Sequence, residues 1–215
     1  HHLDAFFGFS YIRGGEGLAK ELFGKYARTN EDFRTACREW CADPAAAEAR
    51  YGHISTWDTA AVTDMSYAFC RYDTDGMGGV QGADTFNSNI SAWNTANVTN
   101  MRSMFDHAEA FSSDVSAWNT ANVTNMSHMF HGANAFNSDV SGWNTANVTN
   151  MESMFRGARA FNCGDAGAMN WDVRKVTNMS HMFQGARAFK QDLGNWDTSS
   201  VTNTPGMFEI YGDTK

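Results

Sequence analysis

The chain has 215 residues, a formal net charge of −8 and a pI near 5.2. This acidic balance argues against a nucleic-acid partner, because no basic stripe is present to neutralise phosphates. A hydrophobic content of 42% argues against disorder, and no apolar run approaches the roughly 20 residues that a membrane-spanning helix needs.

Residues 1–52 are predicted to form an N-terminal segment with a helical cap. Asn30 is the expected N-cap of a first helix, and the acidic Glu31 and Asp32 follow in its first turn. Pro44 is expected to start a second helix. The first helix carries one apolar stripe at helical spacing, formed by Phe33, Ala36, Cys37, Trp40 and Cys41. Such a helix can cover the apolar end of a repeat array.

Four cysteines leave three alternatives open, since they are too few for a dense disulfide framework. The first is buried free thiols. The second is one disulfide that joins Cys70 to Cys37 or Cys41. The third is a zinc site that adds His53 to these three cysteines, although a CxxxC pair on a helix is not a usual zinc knuckle.

Six copies of one motif fill the second predicted region, residues 53–215. The copies are repeats 1 to 6, and each starts at its Trp: Trp57, Trp93, Trp118, Trp143, Trp171 and Trp196. The gaps are 36, 25, 25, 28 and 25 residues, which gives a period of 25 with two insertions. The longer insertion, of 11 residues, lies between Phe69 and Phe86. A fixed period of this length predicts a solenoid.

The apolar positions of the repeats predict the core. Counted from the Trp, Val stands at position 5 in every repeat, and repeats 2 to 5 have Met at position 8, Met-Phe at positions 11 and 12 and Phe at position 18. In repeat 6, Thr204 replaces the Met at position 8. The Met–x–x–Met-Phe spacing predicts a short helix, and the stretch from Phe to the next Trp predicts a short strand. The predicted fold class is therefore α/β, with short parallel strands stacked about 4.8 Å apart.

The repeat resembles a known family. The copies share the consensus Trp-Asn/Asp-Thr-x-x-Val-Thr-Asn/Asp-Met-x-x-Met-Phe, followed by Ala-x-x-Phe-Asn-x-Asp-Val/Ile/Leu-Ser-x-Trp. This pattern is similar to the motif of the BspA-like leucine-rich-repeat surface proteins over residues 53–208. The resemblance implies a right-handed leucine-rich-repeat-like solenoid at the cell surface or outside the cell. It also implies a non-catalytic adhesion module with a protein or glycan ligand, because the family has no shared catalytic residues.

Two polar columns repeat as strictly as the apolar ones. They include Thr99, Thr124, Thr149 and Thr177 at position 6 and Asn100, Asn125, Asn150 and Asn178 at position 7. The first interpretation is structural, with side chains that bond to backbone groups at the corners. The alternative is ice binding, because regular Thr rows on a flat face can order water. Val173, Arg174 and Lys175 interrupt the adjacent columns.

The longer insertion contains a calcium candidate. Asp73-x-Asp75-Gly76 resembles the start of a calcium loop, and Asp84 stands at its twelfth place, where a longer Glu is usual. The alternative is a flexible glycine-rich excursion. No cofactor is expected other than two candidate metal ions, zinc at the cysteines and calcium at Asp73 and Asp75.

Positions that vary between copies are predicted to face solvent. The histidines His107, His128, His131 and His181 occupy such positions, so we expect exposed imidazoles. No Ser-His-Asp arrangement, phosphate loop or HExxH helix is present. Besides the insertion, the candidate binding residues are His128, His131, Arg156, Arg159, Arg174 and Lys175.

Overall fold

The fold is given by a computed structural model, which describes residues 27–72, 76 and 78–209. The strands and α-helices in this part of the chain are β1 (Ala27–Thr29), α1 (Phe33–Ala42), α2 (Pro44–Tyr51) and β2 (Asp58–Ala61). The same part of the chain also contains three 3-10 helices of three residues each, at Ile54–Thr56, Ala83–Thr85 and Cys163–Asp165. β1 and β2 pair in parallel. None of the helices in the described ranges is long and apolar enough to cross a membrane.

The helix α1 begins after Asp32, not after Asn30 as predicted. The Asn30 side chain forms hydrogen bonds with repeat 1 instead. Its Oδ1 accepts from the backbone N–H groups of Thr63 (2.8 Å) and Asp64 (3.1 Å), and its Nδ2 donates to Thr63 Oγ1. In repeat 2 the equivalent N–H groups bond to the carbonyl of Thr63 itself. The Asn30 amide thus stands in for a preceding repeat.

The apolar stripe of α1 is buried against the first two repeats. Phe33 packs edge-on against Trp93 with ring centroids 5.3 Å apart, and Trp40 against Trp57 at 6.1 Å. Asp43 caps α2, because its Oδ1 accepts from the N–H groups of the two alanines that follow Pro44. The two helices therefore close the end of the array at which repeat 1 lies.

Successive repeats stack on one another through their aromatic columns. The Trp rings of repeats 1 and 2 lie 6.0 Å apart with planes at 9°, and those of repeats 2 and 3 lie 6.4 Å apart at 3°. Each indole N–H reaches back along the array, as when Trp93 donates to the Ile54 carbonyl at 2.9 Å. The Phe rings at position 12 stack likewise, with Phe105 and Phe130 5.5 Å apart.

The predicted core positions are buried in repeats 2 to 5, apart from Phe189 of repeat 5, which is partly buried. Val98, Met101, Met104, Phe105 and Phe111 of repeat 2 are all fully buried. Thr at position 2 is buried too, and its hydroxyl donates to a carbonyl of the next repeat. At repeat 6 the packing loosens, because no described repeat covers it.

Within the repeats, turns and isolated parallel bridges replace the predicted strand and helix. The bridges join the position-7 residues of neighbouring repeats. The physical reason lies in the Met–x–x–Met-Phe stretch, where alternate N–H groups donate to the next repeat. Met101 donates to Asn125 O at 3.0 Å, and Ser103 to Ser127 O at 2.9 Å. An N–H that bonds between repeats cannot also close a helical turn.

All four cysteines are free thiols. Burial raises the pKa of Cys41 to about 12 and that of Cys163 to about 11. The structure therefore agrees with the first of the three alternatives and contains no disulfide among these residues.

Candidate functional site

One group of polar side chains joins repeats 2 and 3. We call Asp106, His107, His128 and His131 the His cluster. Asp106 and His131 both stand at position 13, in repeats 2 and 3, so stacking places their side chains against each other. Only 3% of the Asp106 surface is exposed. The prediction that this position faces solvent is wrong for Asp106.

Hydrogen bonds tie two of the imidazoles to one carboxylate oxygen. Oδ1 of Asp106 lies 2.6 Å from His107 Nδ1 and 3.0 Å from His131 Nδ1. An ionised carboxylate can only accept, so both Nδ1 atoms carry a proton in this arrangement. Burial opposes ionisation, but the hydrogen bonds from the two histidines and the electrostatic interactions with them outweigh it and lower the pKa of Asp106.

His128 completes the cluster from the outer side. Its Nε2 lies 3.9 Å from Oε1 of Glu152 in repeat 4. Burial and the neighbouring His131 lower the pKa of His128, so its imidazole favours the neutral form. The histidines are thus half-buried members of a network, and the prediction of freely exposed imidazoles is wrong for these three.

The backbone at the cluster is strained. His107 and His128 have φ values of 55° and 56°, in the left-handed region. Such a conformation costs an L-residue about 1–2 kcal/mol. In repeats 3 to 5 glycine fills the position of His107, and the His107 ring lies over Gly132 of repeat 3. Position 10, which His128 occupies, has a positive φ in the other repeats as well, so only the side chain kept at the His107 position is a reason to suspect a function.

A groove of about 350 Å³ runs from the His cluster across the following repeats. We call it the arginine groove, and its main side chains are His107, His131, Asn134, Arg156, Arg159 and Arg187. Arg159 and Arg187 are exposed and stand at position 16 of repeats 4 and 5. Glu109, at position 16 of repeat 2, is the acidic member of the lining. An acidic protein therefore carries a locally basic groove.

Other predicted binding residues lie away from this groove. Arg174 pairs with Asp172, with Nη2 and Oδ2 2.6 Å apart. Lys175 Nζ donates to Asn147 Oδ1 at 2.7 Å. Neither residue lines the groove.

Of the three acidic residues of the calcium candidate, only Asp84 lies in the described part of the chain. Asp84 pairs with Arg71, with Oδ1 and Nε 3.2 Å apart. Asp73 and Asp75 lie outside the described residues, so the calcium candidate stays a prediction.

The Thr and Asn columns lie on a separate surface. Thr99, Thr124, Thr149 and Thr177 are exposed, and each hydroxyl donates to the Thr carbonyl of the preceding repeat at 3.2–3.3 Å. Oδ1 of Asn100, Asn125, Asn150 and Asn178 accepts from the N–H two residues ahead at 2.9–3.1 Å. We call this surface, together with Asn97, Asn122 and Asn147, the Asn–Thr face.

Sequence reasoning missed three members of these sites. Asp106 and His107 were treated as solvent-facing, and Arg187 was left out of the candidates. Comparison of the same position in neighbouring repeats could have found two of them, because it pairs Asp106 with His131 and Arg187 with Arg159.

One set of side chains could hold a metal ion. Asp106, His128 and His131 each offer one ligand atom, and these atoms lie within 4.8 Å of one another. Among the described residues no other group of three His, Cys, Asp or Glu meets this condition, so the predicted Cys37–Cys41–Cys70–His53 zinc site is not formed.

Comparison with known proteins identifies the family and nothing closer. No curated protein matches the chain, and no solved structure does. A family model described as "Mycoplasma protein of unknown function, DUF285" matches residues 44–166 and 165–211. These matches cover most of the chain and all six repeats. The chain therefore belongs to this DUF285 family.

Proposed function

We propose that this protein is a non-catalytic recognition module that acts outside the cell or on its surface. Its repeats form a right-handed solenoid of the BspA-like leucine-rich-repeat type, and the arginine groove binds the protein's ligand. Of protein and glycan ligands, an acidic glycan suits the groove best. The observation that carries this proposal is the concentration of Arg156, Arg159 and Arg187 in one groove of a chain with a formal net charge of −8.

The spacing of the arginines favours a polymer with repeated acidic groups. Arg159 and Arg187 occupy the same position in neighbouring repeats, so their backbones lie about 5 Å apart. Guanidinium groups bind carboxylate and sulfate oxygens in a bidentate way, and they suit planar anions better than lysine does. An open groove that crosses several repeats can contact successive sugars of an extended chain.

The test is binding to immobilised acidic glycans, with a sulfated polymer and a polyuronate as probes. We expect Arg159→Ser with Arg187→Ser to weaken binding at least about tenfold, because each charge-assisted hydrogen bond contributes about 1.5–3 kcal/mol. Arg174→Ser with Lys175→Ser is the matched control, since it removes the same charge outside the groove. Equal losses in both double variants, or no binding by the wild type, would contradict the proposal.

Ice binding is the second candidate, and the Asn–Thr face favours it. Thr99, Thr124 and Thr149 are exposed and make the same hydroxyl hydrogen bond in each repeat, which sets their side chains at a regular interval. Arg174 and Lys175 interrupt the face at repeat 5. Thermal hysteresis at micromolar protein, reduced by Thr124→Tyr, is the expected result. Its absence in the wild type would remove this candidate.

A further inference from the structure

We propose that Asp106, His128 and His131 form a binding site for a divalent transition-metal ion, and that zinc is the ion of best fit. The proposal is independent of the ligand in the arginine groove. It uses the inner end of that groove, where the His cluster meets it.

The donor set is the first argument. One carboxylate and two imidazoles are a known zinc ligand set, and a fourth place is then filled by water or another side chain. Calcium and magnesium prefer ligand sets made of oxygen atoms, so two imidazoles disfavour both ions.

The distances are the second argument. A tetrahedral ion with bonds of about 2.0–2.2 Å holds its ligand atoms roughly 3.4 Å apart. Asp106 Oδ1 and His131 Nδ1 are already 3.0 Å apart, and all three ligand atoms lie within 4.8 Å of one another. The site therefore needs only a side-chain rotation, and the His128 imidazole, which is 26% exposed, has room for it.

The proton balance is simple. The hydrogen bond from His131 Nδ1–H to Asp106 breaks, and a neutral His131 moves its proton to Nε2, so that the Nδ1 lone pair faces the ion.

The surroundings of the three ligands supply the support that metal sites need. His107 Nδ1 donates to Asp106 at 2.6 Å, which fixes the carboxylate. Glu152 Oε1, 3.9 Å from His128 Nε2, brings a second negative charge from repeat 4 and is a candidate for a fourth ligand. The ion would thus connect repeats 2 and 3, with Glu152 extending the site to repeat 4.

The repeats themselves provide variants that keep the fold. Ser103 and Ser153 stand at the position of His128 in the repeats on either side, and Gln184 stands at the position of His131 in repeat 5. His128→Ser with His131→Gln therefore puts residues that this fold already accepts at both places. His181→Ser is the matched control: His181 shares the position of His128, but Arg156 and Gln184 replace Asp106 and His131 beside it.

The experiment is calorimetric titration of the chelator-treated full chain with zinc chloride, together with melting curves. We expect one zinc ion per chain at micromolar affinity or tighter, and a melting temperature that rises with zinc concentration. The His181→Ser variant should keep both effects. His128→Ser with His131→Gln should weaken the binding at least about a hundredfold and abolish the rise.

Zinc held elsewhere, for example by His1 and His2, would remain in the double variant. Equal affinity in the wild type and the double variant would therefore overturn the proposal, and so would no binding by the wild type. Cobalt(II) gives an independent readout, since a site with four ligands produces visible absorption that the double variant must lack.

Discussion

The Asn–Thr face and the arginine groove lie on the same repeats but differ in what they repeat. On the face, Thr99 and Thr124 each donate to the Thr carbonyl of the preceding repeat at the same distance of 3.2 Å. In the groove, position 13 changes from Asp106 to His131 and then to Arg156. A constant residue marks a side chain that helps to hold the stack, and a changing residue marks one that is free to take on a specific role.

The largest expected loss of stability comes from a substitution in the core, which both surfaces share. Phe130→Ala should lower the free energy of unfolding by about 3–5 kcal/mol, because the ring stacks on Phe105 at 5.5 Å and on Phe155 at 5.7 Å. Phe208→Ala is the control, since that ring is 57% exposed. Urea denaturation measures both, and similar losses would contradict the stacked core.

In the arginine groove, Gly132→Ala should lower the free energy of unfolding by about 2–3 kcal/mol and Gly157→Ala by about 1 kcal/mol. Both positions have φ near 67° and strain an L-residue. Only at Gly132 would the new Cβ meet the His107 ring, at 2.7 Å from Cδ2. Thermal melting of both variants measures the difference. Equal costs would mean that His107 does not lie over Gly132.

A buried and an exposed threonine of the same repeat should differ in how much their hydroxyl groups contribute to stability. Thr120→Val should lower the free energy of unfolding by about 1–2 kcal/mol. The buried Thr120 hydroxyl donates to Asn144 O at 3.0 Å, and this carbonyl would lose its hydrogen-bond partner. Thr124→Val should cost less than about 0.5 kcal/mol, since water can replace its exposed hydroxyl. Chemical denaturation compares the two, and a larger loss at Thr124 would contradict the assignment of inside and outside.

The core could be predicted from the sequence because the period is explicit. Val98, Met101 and Phe105 recur at fixed positions, and such columns are buried whatever the local backbone does. The helix in each repeat could not be predicted correctly, because its spacing competes with hydrogen bonds between repeats. Ser103, for example, has φ 51° and donates to Ser127 O. That bond depends on a neighbour 24 residues away.

The site was predictable only in part, for a related reason. His131 and Arg159 were found as residues that differ between copies. The burial of Asp106 was not predicted. Variation between copies alone cannot distinguish a residue in water from a residue that is paired with its neighbour in the next repeat. The distance of 3.0 Å between Asp106 and His131 shows that pairing.

The smallest expected effect is that of Asp114→Asn, which removes a charge but keeps a hydrogen bond. Asp114 Oδ1 accepts from Ser116 N–H at 2.9 Å, as Asn89 Oδ1 accepts from Ser91 N–H at 3.0 Å in the preceding turn. The hydrogen bonds from Ser116 lower the pKa of Asp114. Asp114→Asn should therefore keep the geometry and remove only the titration.

The sign of the pH effect follows from the direction of that shift. Because the folded pKa lies below the unfolded value of about 3.9, Asp114 adds stability above that value, and the contribution is lost as the pH falls through the folded pKa. The melting temperature of the wild type should thus fall slightly more between pH 5 and pH 2 than that of Asp114→Asn. The carboxylate is well exposed, so solvent screening keeps the difference small. A variant that loses as much stability in acid as the wild type, or more, would contradict the lowered pKa of Asp114.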